Sequence, residues 1–148
     1  MMMRNVVVLW LATMVLVEGQ VPNWSEPPPQ ASRYFVHVVN GLSYHNLDVH
    51  CQSKDDDLGY HCLVNHGDDF QWNFRENFWG TTLFWCRLEK LDAYVAFESF
   101  WPESRNLWLR YRCGNQLGTC IWTAKDDGIY LRNLSTNVDE FVHKWIPK

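Results

Sequence analysis

Five cysteines, Cys51, Cys62, Cys86, Cys113 and Cys120, hold most of the chemistry this chain can offer. In an oxidising compartment they form at most two internal bridges and leave one thiol over. Zinc is the rival use, because His50-Cys51 and His61-Cys62-x₃-His66 bring soft ligands close together. Those spacings match neither a C-x₂-C pair nor a helical H-x₃₋₅-H pair, so no metal centre is expected. Lys54-Asp55-Asp56-Asp57 sets three carboxylates side by side, without the spacing of a twelve-residue calcium loop. Its aspartates suit a solvated turn, where they bond nearby backbone N–H groups. His61 and His66 with Asp68 and Asp69 are raw material for acid–base catalysis. A ribonuclease would add a cationic phosphate clamp, and no basic cluster accompanies them. G-x-S-x-G, H-E-x-x-H and G-x-x-x-x-G-K-[ST] are all missing. Neither a cofactor nor an enzymatic activity is expected.

The first residues set the compartment. Arg4 precedes an uncharged stretch from Val6 to Val17, about a dozen residues against the ~20 a membrane-spanning helix needs. Val17 and Gly19 suit a signal peptidase that cuts before Gln20, so residues 1–19 read as a secretory leader. No later run is long and apolar enough to span a bilayer, and the mature chain is expected to be a secreted, extracellular monomer with no membrane insertion. Two sequons, Asn23-Trp24-Ser25 and Asn133-Leu134-Ser135, become usable N-glycosylation acceptors on that route. The formal charge of −4 argues against nucleic acid as a partner.

These groups need elements to hold them. Residues 20–31 are Pro-rich and extended, and residues 32–148 form one domain. Within that domain short apolar runs alternate with turn residues. Ser32–Asn40 stops at Asn40-Gly41, Asn46–Cys51 alternates, and Leu58–Val64 resumes after the Lys54–Asp57 turn. Phe70, Trp72 and Phe74 then alternate with Gln71, Asn73 and Arg75. Thr81–Leu88, Ala93–Phe100, Leu107–Cys113, Thr119–Ala124, Gly128–Asn133 and Val138–Ile146 follow. Eight to nine short strands and no capped helix predict an all-β, antiparallel two-sheet sandwich. Phe70, Trp72, Phe74, Phe84, Val95, Phe97, Leu109 and Trp122 are its core candidates. An aromatic content of 16% fits rings filling the space between two sheets. Cys62 shares a strand face with Tyr60 and Val64 and is expected to be a buried, inert thiol or to pair with another chain.

His50-Cys51-Gln52-Ser53-Lys54-Asp55-Asp56-Asp57-Leu58-Gly59 resembles the most recognisable motif of the plant S-protein homologues, the family named for self-incompatibility proteins of the pistil. Val38-Val39-Asn40 precedes it. Trp72-x-Phe74-x₂-Asn77-x₂-Gly80-x-Thr82-Leu83-Phe84-Trp85-Cys86 follows, and then Cys120-Ile121-Trp122 with Lys125-Asp126-Asp127-Gly128. The likeness runs from Tyr34 to about Trp145. It implies that Cys51, Cys86, Cys113 and Cys120 form the two bridges, in one of three pairings, with Cys62 as the extra thiol. It also implies a secreted ligand recognised by a cell-surface protein receptor. On a stapled sandwich such recognition falls to the loops: Asn40–Asn46, Ser53–Gly59, Asn65–Asp69, Trp101–Asn106 and Gly114–Gly118. Lys54, Asp55, Asp56 and Asp57 are the candidate recognition loop. The alternative is a carbohydrate-binding or defence module that uses an exposed ring, with Trp101 before Pro102 as its best candidate.

Overall fold

The computed structural model describes residues 33–114 and 117–148. The leader, the Pro-rich segment and Asn23 lie outside the described residues. In chain order the elements are β1 (Arg33–Asn40), β2 (Leu47–Ser53), β3 (Asp57–Leu63), β4 (Asp69–Arg75), β5 (Phe84–Lys90), β6 (Ala93–Phe100), α1 (Trp108–Cys113), β7 (Leu117–Lys125), β8 (Gly128–Asn133), β9 (Val138–His143) and β10 (Ile146–Pro147). They build two five-stranded sheets, ordered β4-β1-β7-β8-β9 and β10-β6-β5-β2-β3.

Alternation explains why these segments are strands. β1 turns Tyr34, Val36 and Val38 inward, β2 Leu47, Val49 and Cys51, and β5 Phe84, Cys86 and Leu88. Trp122 on β7 lies at the centre, and its indole N–H donates 3.0 Å to the Ser99 carbonyl on β6, across the two sheets. Phe84, Val95, Phe97, Leu109 and Trp122 are buried as expected. Phe70, Trp72 and Phe74 are only half-buried, because β4 is an edge strand, yet they pack against the same core.

Two elements differ from the sequence reading. β1 pairs with β7 in parallel, Arg33 opposite Leu117 and Asn40 opposite Ala124, so one ladder of the sandwich is not antiparallel. Leu107–Cys113, read as a strand, instead contains the helix α1. Its alternating apolar residues mislead because Leu109 and Cys113, four apart, share the buried face of a single helical turn and a half.

The bridges are Cys51–Cys86 and Cys113–Cys120, with sequence separations of 35 and 7. Cys51 and Cys86 stand directly opposite on β2 and β5, so that bridge lies within one sheet. The second ties α1 to β7. Cys62 is a free thiol and is exposed, not buried. Cys62, Tyr60 and Val64 do share a face, but it is the solvent face of the edge strand β3 and the residue beyond it, with Tyr60 83% and Val64 57% exposed. Leu63 takes the inward position instead.

Candidate recognition surface

Two turns and the α1 connection meet at the end of the sandwich where β2 and β4 finish and β5 begins. In the β2–β3 turn the Ser53 N–H donates 2.7 Å to the Asp56 carbonyl. The Asp56 N–H returns a bond to Ser53 Oγ at 3.1 Å. Lys54, Asp55 and Asp56 are thereby held on the surface and exposed. Asp57 plays a different part. Its carboxylate accepts the Gly59 N–H at 2.8 Å and lies 2.8 Å from His50 Nε2. Those two partners, Gly59 first, hold its pKa below the usual carboxylate value. Gly59 has φ of 82°, a left-handed conformation that glycine adopts without strain. Asp57 therefore shapes the turn, while the three residues before it face outward.

The β4–β5 loop was not singled out by its sequence, and it is the most conspicuous feature of this end. Asn77 clasps it. Its N–H donates to Thr82 Oγ1 at 2.8 Å, its Nδ2 to Thr81 Oγ1 at 2.9 Å, and its Oδ1 accepts the Thr81 N–H at 2.9 Å. The Gly80 carbonyl accepts Ser104 Oγ at 2.9 Å, which fastens the loop to the β6–α1 connection. Inside this clasp Phe78 and Trp79 are 86% and 80% exposed, with ring centroids 5.5 Å apart. The sequence reading assigned these two aromatics no role. The usable signal was the bracket Asn77…Gly80, a turn pair enclosing two rings.

Between this loop and the Lys54–Asp56 turn runs a groove of about 420 Å³, lined by Asp55, Asp56, Asn77, Thr81, Leu83 and Trp85 among others. Behind it Arg110 of α1 pairs with Glu76 at 3.3 Å and with Glu103. Burial pushes the Glu76 carboxyl up, and Arg110 opposes that shift. Trp101 is not a free platform. Its indole N–H donates 3.0 Å to Asn106 Oδ1, and its ring stacks on Trp108 at 5.9 Å, with the Arg112 guanidinium 3.9 Å from the Trp108 ring centre.

The remaining candidates are scattered. His61 Nε2 lies 2.7 Å from the Leu58 carbonyl, and His66 Nδ1 lies 3.0 Å from that of Leu42. Asp68 accepts the Asn65 N–H, and Asp69 pairs with His37 at 2.7 Å. The four do not converge on one another as an acid–base site requires. Among the described residues no group of three His, Cys, Asp or Glu side chains is placed to hold a metal ion. No helix among them is long and apolar enough to cross a membrane. Asn133, at the end of β8, accepts the Ser135 hydroxyl at 2.6 Å within its own sequon.

Comparison with known proteins agrees with this architecture. A solved structure described as an SPH (self-incompatibility protein homologue), from a widespread family of small, highly stable, secreted plant proteins, superposes with a TM-score of 0.58 at 17% identity. The match covers 78% of this chain and 96% of that one. S-protein homolog 1 of Arabidopsis thaliana is 41% identical over 118 residues, 79% of this chain and 74% of that protein. S-protein homolog 74 of the same plant is 40% identical over the same shares. The family model described as plant self-incompatibility protein S1 matches residues 35–145. With its sandwich, its motif turn and its clasped loop, the chain belongs to the plant self-incompatibility protein S1 family.

Proposed function

We propose that this protein is a secreted recognition ligand that engages a cell-surface protein receptor through the Phe78–Trp79 loop and the adjoining Lys54–Asp56 turn. The observation that carries the reading is the pair of exposed rings on a loop already fixed by side-chain hydrogen bonds. Large rings anchor protein interfaces when a partner's pocket removes them from water. A loop held in place beforehand loses little conformational freedom on binding. On the adjoining turn Asp55 and Asp56 outnumber Lys54, which favours a receptor whose pocket has a basic rim. Cleavage before Gln20 and glycans on Asn23 and Asn133 accompany this reading. Mass spectrometry of the secreted protein tests both.

The decisive experiment measures binding of fluorescently labelled protein to plant cell surfaces. The F78A/W79A variant is expected to lose saturable binding while keeping its circular dichroism spectrum. Asp56→Lys should slow association and alter its salt dependence. Undiminished binding by F78A/W79A would refute the placement of the interface.

A further inference from the structure

A second surface lies away from the loop end, on the outer face of the β10-β6-β5-β2-β3 sheet. The pleat that buries Val49, Leu63 and Leu88 turns their neighbours outward in two rows across three strands. Tyr60, His50 and Arg87 form one row, and Cys62, Asp48 and Glu89 the other. Between the rows runs a groove of about 320 Å³ lined by these six side chains. That volume lies near the lower end of the range typical of small-ligand sites, roughly 300–1,000 Å³.

The two walls differ in chemistry. One is aromatic and donating: the rings of Tyr60 and His50 stack at 4.0 Å, and the Arg87 guanidinium stands beside them over Tyr94. The other is accepting: the Asp48 carboxylate takes a bond from the Cys62 thiol, and Glu89 pairs with Arg87 at 2.8 Å and with Lys148 at 3.2 Å. Asp48 and Glu89 outnumber Arg87 by one charge among the lining side chains, and at the margins Lys148 pairs with Glu89 and Asp57 with His50, so the groove does not select an anion. A wholly apolar ligand is disfavoured by the charged wall, whose groups would lose water without compensation.

We infer that this groove binds a linear, neutral oligosaccharide. A pyranose has a C–H face that suits the apolar body of a tyrosine ring, and hydroxyls that both donate to carboxylates and accept from a guanidinium. Three neighbouring strands span about 10 Å, the length of roughly two sugar rings. The groove shares no lining side chain with the proposed receptor surface, although its His50 also holds Asp57 at the base of the adjoining turn.

The test is calorimetric titration of the full secreted protein with cellohexaose, xylohexaose and mannohexaose, and with hexagalacturonate as the charged comparison. At least one neutral sugar should bind saturably, and hexagalacturonate should not. Tyr60→Ala and Asp48→Asn, both at the solvent face, should each weaken binding on the order of tenfold. F78A/W79A should leave it unchanged. Bound sugar should also slow maleimide alkylation of Cys62, a readout at the groove itself. The inference is overturned if none of the three neutral sugars binds, or if Tyr60→Ala binds as tightly as the unaltered protein.

Discussion

Two asparagines, one at each end of this sandwich, use the same carboxamide in opposite ways. At the end where β1 finishes, Asn40 is fully buried and its carboxamide is spent inward. Its Nδ2 donates to the His45 and Leu63 carbonyls at 3.1 and 2.9 Å, and its Oδ1 accepts the Leu42 N–H at 3.0 Å. Leu42 is drawn beneath it and buried. At the opposite end Asn77 uses the same functional group to hold a loop whose rings are turned out to water. One asparagine closes the core and the other builds a display. A buried carboxamide is a structural necessity, whereas exposed rings on a fixed loop cost solubility and call for a use outside the fold.

The bridges should separate the core from the display most strongly. In the chain-entropy model, removing Cys51–Cys86 as a double Ala variant should cost about 4 kcal/mol, and removing Cys113–Cys120 about 2 kcal/mol. Denaturant titration measures both. Hydrogen exchange in the second variant should rise around α1 and the start of β7 and stay low around Asn40. Uniform loosening would break the distinction between the ends.

Asn40→Ala comes next. It strips partners from one N–H and two carbonyls around a buried side chain, and should cost about 2–3 kcal/mol. By contrast F78A/W79A, which removes far more apolar surface, should change stability by no more than about 0.5 kcal/mol, as surface substitutions do. If the two results were reversed, Phe78 and Trp79 would be packing residues and the receptor reading would lose its support.

The smallest effect concerns pH. Burial against Phe97 and Trp122 holds the His143 pKa below its ordinary value. The folded state thus favours the neutral ring. Stability from this site is fully present above the unfolded pKa of about 6.5 and falls as pH drops through it toward the folded value. The denaturation midpoint should decline between about pH 7.5 and pH 5.5, less so in His143→Phe. Receptor binding at the other end should not follow that titration.

How much of this was legible in the sequence depends on whether a residue's role is local. Period-2 alternation revealed β2 and β4 because each turns one face toward the core, a pattern set by the pleat alone, while β1 and β6 stood out as short apolar runs between turn residues. Alternation also put Tyr60, Cys62 and Val64 on one face, but parity does not say which face is wet, and β3 is an edge strand. The helix α1 spans six residues, too few for a 3.6-residue period to stand out from a 2-residue one. Asn40-Gly41 was read as a turn, yet one of the carboxamide's buried partners, the Leu63 carbonyl, lies on a strand well along the chain. Phe78 and Trp79 were missed because composition equates aromatic with core. The groove on the β10-β6-β5-β2-β3 sheet needed the register of three strands, which no single segment encodes.

The parallel ladder between β1 and β7 bears on the order in which the protein is made. β1 leaves the ribosome first and can pair with β4 as soon as that strand emerges, but its other flank stays open until β7 is synthesised. Throughout that interval the nascent chain presents an unsatisfied row of N–H and C=O groups bearing Val36 and Val38, a template for mispairing. Completion waits on a contact spanning most of the domain, a topology that folds slowly. For this fold the vulnerable moment is therefore production, and a helper that shields one edge of β1 during export should raise yield without altering the finished molecule.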